Sequence, residues 1–267
     1  MNIEKMKKQV SMLTGWVFCV GLFAGLVTGQ GSYKTPPKPV MDVLTAPGIP
    51  STSISPAYDR IALLEPLRYP PIAELAQPML RLAGVRVNPA TNGQHRQPYA
   101  VSMRIRTIAD GRETAVVFPA GAQIISADWS PDGKYLAAGN VTATGVELWI
   151  VDAATARATK VKNVLVNTAF GGFSWEGPRT ISAMLVPSKR GPAPVFQNLV
   201  PTEPSVQETS GRTGVVATYQ DMLKSPNDEK LFEYYATSQL ALIEVDGRVR
   251  EIGPPAIFDD ANFSPDG

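Results

Sequence analysis

The chain carries one cysteine, Cys19, and one histidine, His95, in 267 residues. A lone thiol forms no intrachain disulfide, and one Cys with one His makes no zinc cluster. No Cys–His catalytic pair is expected either, because Cys19 lies in an apolar leader. No Gly-x-Ser-x-Gly stretch occurs, the sharp turn that presents a hydrolase serine. An excess of one charge is also missing: 25 Lys and Arg face 24 Asp and Glu. That balance offers no field for nucleic acid. No cofactor, metal or nucleic acid is expected.

Turn-forming residues are plentiful. The 24 Pro and 22 Gly make up about a sixth of the chain, which favours short strands over long helices.

Residues 1–30 read as a signal peptide. Lys5, Lys7 and Lys8 form a basic start, Val10 to Thr28 is uncharged, and "VTGQG" offers small residues for cleavage after Gly29 or Gly31. The alternative is an uncleaved membrane anchor, since the run is nearly long enough to span a bilayer. Cys19 follows Phe18 without the small residues of a lipobox. The expected location is periplasmic or secreted, or membrane-anchored if the leader stays. Loss of the leader removes the only Cys and leaves the rest near −1.

Residues 31–50 are Pro-rich and read as an extended arm. From residue 51 to 267, short β-branched runs bounded by Gly, Pro, Asp and Asn predict an all-β domain. The clearest unit runs from Gln123 to Val161: an apolar run, "DWSPDG", a strand, a loop and "VELWIVDAATARATKV". About four antiparallel strands in about forty residues is the content of one β-propeller blade. In "SPDG" (Ser130, Pro131, Asp132, Gly133), Pro ends pairing while Asp and Gly turn the chain. Trp129 is placed to plug the space between neighbouring blades. The phrase begins at Ser55-Pro56 with Asp59, is degraded at Ser174 in "FSWEG", and returns as Ser264, Pro265, Asp266 and Gly267. The stretch has room for four to five blades, an incomplete ring, with a long loop at 187–218. Tyr219 to Lys224 reads as a helical turn and Ser225-Pro226-Asn227-Asp228 as a helix start, with strand again from Leu231.

These residues carry a resemblance. "LAGVRVNPATNG" and "TYQDMLKSPNDEKLFEYYATSQL" in particular resemble the glutamyl endopeptidase branch of the prolyl oligopeptidase family, from about Tyr33 onward. The resemblance implies an N-terminal propeller joined to a C-terminal α/β-hydrolase domain with a Ser–Asp–His triad. It implies peptide substrates with acidic residues. No catalytic residue is assigned here. Ser174 has Glu176 where an elbow needs Gly, and His95 reads as a loop histidine. Arg86 and Arg96 are the candidate partners for a substrate carboxylate, with surface arginines as the alternative reading. Asp228-Glu229 reads as a helix first turn, Asp259-Asp260 as a loop pair, and Tyr234-Tyr235 as half core and half surface.

Two functions follow. One is the propeller part of an exported serine peptidase, gating and positioning peptide for a hydrolase domain further along the chain. The other is a free-standing propeller that binds a protein partner. A closing "SPDG" with no following strand favours the first reading.

Overall fold

The computed structural model describes residues 34–196, 211 and 219–261. The leader, the phrase at Ser264 to Gly267 and most of the 187–218 loop lie outside the described residues.

The chain divides into two units, to Pro47 and from Gly48. The described part of the first holds one helix, α1 (Lys38–Leu44), where an extended arm is the sequence reading. Pro39 falls in its first turn, where a missing N–H costs nothing. None of its residues is buried.

The second unit is mostly antiparallel strand. Its first part contains β1 (Ser51–Ile54), β2 (Arg60–Pro66), α2 (Ile72–Leu75), β3 (Leu80–Leu82), β4 (Val85–Asn88), β5 (Gly93–Gln94), β6 (Ala100–Thr107) and β7 (Glu113–Ala115). The middle part contains β8 (Ile124–Trp129), β9 (Tyr135–Thr142), β10 (Gly145–Asp152) and β11 (Arg157–Lys160). The last part contains β12 (Phe173–Trp175), β13 (Thr180–Leu185), α3 (Pro226–Ala236), β14 (Thr237–Glu244) and β15 (Val249–Ile257).

Pairing sorts the strands into three four-stranded meanders: β1-β2-β6-β7, β8-β9-β10-β11 and β12-β13-β14-β15. A single residue pair, Ala100 with Ile124, joins the first two into one eight-stranded sheet. Val166 bridges Val146 of the second meander to Leu185 of the third. Among the described residues, no sheet closes on itself. The described residues hold three meanders, where the length of the stretch suggests four to five units. The surplus residues form two insertions, each between the second and third strands of a meander. One is β3-β4-β5 with α2, and the other leads from β13 through α3 to β14.

The middle meander is buried on both faces, and strand alternation explains how. Successive residues of a strand face opposite sides. Leu136 and Ala138 therefore enter a core shared with Ala62, Met103, Ile105 and Ile124, while Ala137 enters another with Leu148, Ile150, Ile181 and Ile243. Small residues keep the strands close. A Cβ on Gly139 would stand 2.7 Å from Ile125 Cγ1, so the site accepts only glycine without repacking.

The Ser-Pro corner is a repeated device, and its key atom is the serine hydroxyl. Ser55 and Ser130 are almost fully buried, at 1% and 0% exposure. Ser55 N donates to Arg60 O at 2.9 Å, and Ser130 N donates to Tyr135 O at 2.9 Å. Each hydroxyl oxygen accepts from the N–H five residues on, at 3.2 Å in Ser55 and 3.0 Å in Ser130. Each hydroxyl donates to an aspartate at 2.8 Å, Asp59 in the first corner and Asp132 in the second. Gly133 takes φ 70° where Tyr58 takes φ 57°, so the left-handed step is kept although the residue differs.

The indoles before the corners are repeated too. Trp129 Nε1 donates to Ser53 O at 3.2 Å, and Trp175 Nε1 donates to Asp128 O at 3.0 Å. Each acceptor lies two residues before the previous corner's first residue. The third corner therefore starts at Glu176, whose N donates to Thr180 O at 2.9 Å. Ser174 sits on β12, so the corner begins two residues later than the degraded phrase suggests.

Two other sequence expectations change. Tyr219 to Lys224 is not helical, because Asp221 takes φ 57° and is held by two arginines. Leu231 to Ala236 stays in α3 instead of entering a strand. Leu231, Phe232 and Tyr235 share the side of α3 that packs on Leu82 and Val87 of the small sheet. Ser225 caps α3 as read, accepting from Asp228 N at 3.2 Å with both acids in the first turn.

Candidate functional site

The two insertions pack on each other and shape one end of the domain. Leu82 and Val87 of the small sheet, Ala169, and Tyr235 of α3 form a third core. Polar groups lock its edge. Asn167 Nδ2 donates to Tyr235 O at 2.8 Å and to Ser238 Oγ at 2.9 Å, and Asn92 Nδ2 donates to Tyr235 O at 3.2 Å. Arg190 donates to Asn92 Oδ1 at 2.6 Å and to Tyr234 O at 3.1 Å, with its guanidinium 4.1 Å from the Tyr234 ring centre. Tyr235 is 3% exposed, so the tyrosine pair is indeed half core, on a helix and not a strand.

Beside this core lies a cleft of about 440 Å³. One wall is α2, with Glu74, and the segment after it, with Gln77. The floor is Asn88, Thr91 and Gln94 of the small sheet, followed by Arg96 and Gln97. The far wall is Gln123 and the β9 end, Val141 and Thr142. Gly93 keeps floor and middle meander in contact: a Cβ there would meet Thr168 Oγ1 at 3.0 Å and Val146 Cγ2 at 3.3 Å.

The polar groups of the cleft divide into spent and free. Asn88 Nδ2 donates to Gln77 Oε1 at 2.7 Å, and Thr142 Oγ1 donates to Gly145 O at 2.9 Å. Tyr99 Oη donates to Glu74 Oε2 at 2.8 Å. Burial first, and then this bond and the carboxylate charge, push the Tyr99 phenol up to about 12. The side chains of Gln94, Gln97 and Gln123 have no hydrogen-bond partner among the described residues.

The structure separates the two sequence-predicted arginines. Arg86 is spent: its Nε lies 3.1 Å from Asp221 Oδ2, and Arg81 Nε lies 3.5 Å from the other oxygen. Asp221 is 8% exposed, so this carboxylate is enclosed by the pair. Arg96 is exposed on the cleft, with no ion pair among the described residues. Its φ of 60° is unusual for arginine and turns the chain after β5. His95 lies between them in the turn after β5 and is half-buried. Burial, and then the charges of Arg96 and Arg86, hold its proton affinity below the usual value. Its Nδ1 is buried without a partner.

Ser174 lines a second cavity of about 290 Å³ with Asp259 and Asp260, away from the small sheet that precedes His95. Among the described residues, no serine or carboxylate hydrogen-bonds to the His95 side chain. The spent state of Arg86 was not legible locally, because Asp221 lies 135 residues away. The three free glutamines had no motif to mark them.

The fold and site thus define an antiparallel β domain of repeated meanders with a polar, cation-bearing cleft. No family model matches the chain. A probable chloroplastic glutamyl endopeptidase of Oryza sativa subsp. japonica is 36% identical over 256 residues, 90% of this chain and 27% of its own length. One of Arabidopsis thaliana is 35% identical over 90% of this chain and 26% of its own length. The solved Pyrococcus horikoshii acylaminoacyl peptidase shows a weak likeness, at TM-score 0.35 and 14% identity, over 72% of this chain and 23% of its own. The chain is thus similar, over nine tenths of its own length, to part of two proteins named as glutamyl endopeptidases. It spans about a quarter of the length of those curated relatives.

Proposed function

We propose that this chain is the N-terminal propeller portion of an exported serine peptidase, and that it positions peptide substrate for a hydrolase domain encoded further along. The observation that carries this reading is the 36% identity over 90% of the chain to a protein named a glutamyl endopeptidase. The repeated meanders support the propeller: the second and the third each present an indole to the meander before it, as successive blades around an axis do. The separation of His95 from Ser174 supports placing the chemistry elsewhere, since a triad needs converging groups. On this reading the two insertions and their cleft face the bound peptide.

Reading the gene past codon 267 tests the proposal. It predicts further meanders and then a hydrolase domain with a Gly-x-Ser-x-Gly elbow. A stop codon shortly after Gly267 would contradict it and favour the free-standing, partner-binding propeller. Export is checked by N-terminal sequencing of material from outside the cytoplasm: a start near Ser32 agrees, and an intact Met1 points to an anchor.

A further inference from the structure

We propose that the outer face of the third meander is the seat of the chain's own segment 262–267, with the Phe263 ring in the cavity beside Ser174. The first two interfaces set the rule. An indole directly precedes a corner and reaches a carbonyl of the meander before it: Trp129 reaches Ser53, and Trp175 reaches Asp128. Ser53 pairs in register with Ala62, and Asp128 with Ala137. In each case the small alanine and the indole share one core. The third meander repeats the register with Ser174 opposite Ser182. Among the described residues, no indole reaches Ser174 O. A ring seated there needs no N–H, because Ser182 Oγ stands 3.5 Å from that carbonyl.

The cavity suits an apolar ring. It holds about 290 Å³, and Gly171 and Gly172 bring no side chain to it. A Cβ on Gly172 meets nothing within 4 Å, so the space beside it is open. Met184 and Leu240 pair across β13 and β14 and supply apolar walls. By strand alternation they point away from the core that holds Ala183 and Ala241. Reach and sequence fix the occupant. Asp259, Asp260 and Ala261 already line the cavity. Two further residues span at most about 7 Å, so Phe263 stays beside it. Phe263 directly precedes Ser264-Pro265-Asp266-Gly267, as Trp129 directly precedes Ser130-Pro131-Asp132-Gly133. It holds the place of the docking ring. The seat rests on the propeller reading above for its succession of meanders; the hydrolase domain plays no part in it.

Two measurements on the 267-residue chain test the seat. Nuclear Overhauser spectroscopy should show contacts from the Phe263 ring protons to the methyls of Met184 and Leu240, lost in Phe263→Ala. This needs no change to the face, so it stands even where a variant of the face fails to fold. The second measurement is thiol labelling. A Cys19→Ser background has no other cysteine, so Leu240→Cys in it reports whether the face is covered. Its alkylation should run roughly tenfold or more faster once Phe263→Ala is added, because the uncovered state is no longer opposed by ring burial. Phe263→Trp should keep it slow. Ile54→Cys, at a position 55% exposed on the first meander, should label fast with or without Phe263. Missing ring–methyl contacts, or a Leu240→Cys rate that ignores Phe263→Ala, overturns the proposal. Protection that grows with protein concentration assigns the face to a second copy and overturns it too. Failure of the peptidase reading would instead appear as a stop codon shortly after Gly267, which leaves both measurements as they are.

Discussion

The indole nitrogen of Trp175 donates to the carbonyl of Asp128 at 3.0 Å, as Trp129 donates to Ser53 one meander earlier. The second and third meanders therefore repeat the contact between the first and second. A Cβ on Gly133 would stand 3.2 Å from the Cβ of Ala57, so the first two corners also touch. Gly133→Val meets both that contact and a left-handed φ of 70°. It should cost about 1–3 kcal/mol in urea denaturation. Trp175→Phe keeps the ring and loses the bond, and should cost about 1 kcal/mol.

The corners give a paired test. Ser55→Ala and Ser130→Ala each delete a buried hydroxyl that donates once and accepts from the same N–H. Each should cost about 1–3 kcal/mol, because a buried N–H loses its acceptor. Similar losses at the two sites would show one device used twice. A near-zero loss at Ser55 would make the first corner an ordinary turn.

Much of this repeat was legible. Pro, Asp and Gly at Pro131 to Gly133 marked a corner, and the β-branched, apolar run "VELWIVD" marked a strand. The third corner was misplaced because "FSWEG" shares letters with the phrase while its turn begins at Glu176. The α3 helix was cut short because Phe232, Tyr234 and Tyr235 are good strand residues. Their partners, Leu82 and Val87, lie about 150 residues away, beyond any local pattern.

Arg190 is the pin between the insertions. Arg190→Met keeps bulk and loses the bonds to Asn92 and Tyr234, at a cost of about 2 kcal/mol. Hydrogen exchange should show the loss concentrated in α3. Arg190→Lys should not rescue it, since the planar group that covers the Tyr234 ring is gone. Uniform exchange across all three meanders would contradict a local role.

Glu147 joins three strands of the middle meander. It accepts from Asn140, Trp149 and Lys160. Burial raises its pKa, but the bonds from Lys160, Trp149 and Asn140 outweigh that and hold the carboxyl below its usual range. A lowered folded pKa means the stabilisation is complete above the unfolded value and lost as pH falls through the folded one. Acid titration followed by tryptophan fluorescence should show it. Glu147→Gln should flatten that acid limb and lower stability at neutral pH. An unchanged limb would remove Glu147 from the account.

Tyr99 reports on the cleft. Its absorbance should titrate near 12, and Glu74→Gln should bring that midpoint down by removing the carboxylate. A midpoint that ignores the substitution would mean that burial alone sets it.

The central claim is that this chain handles peptide while the bond-breaking groups lie elsewhere in the same protein. The direct measurement is cleavage of a Glu-containing peptide by the purified 267-residue chain and by the product of the complete reading frame. The account predicts cleavage by the complete product alone. Cleavage by the 267-residue chain that disappears on Ser174→Ala would contradict it.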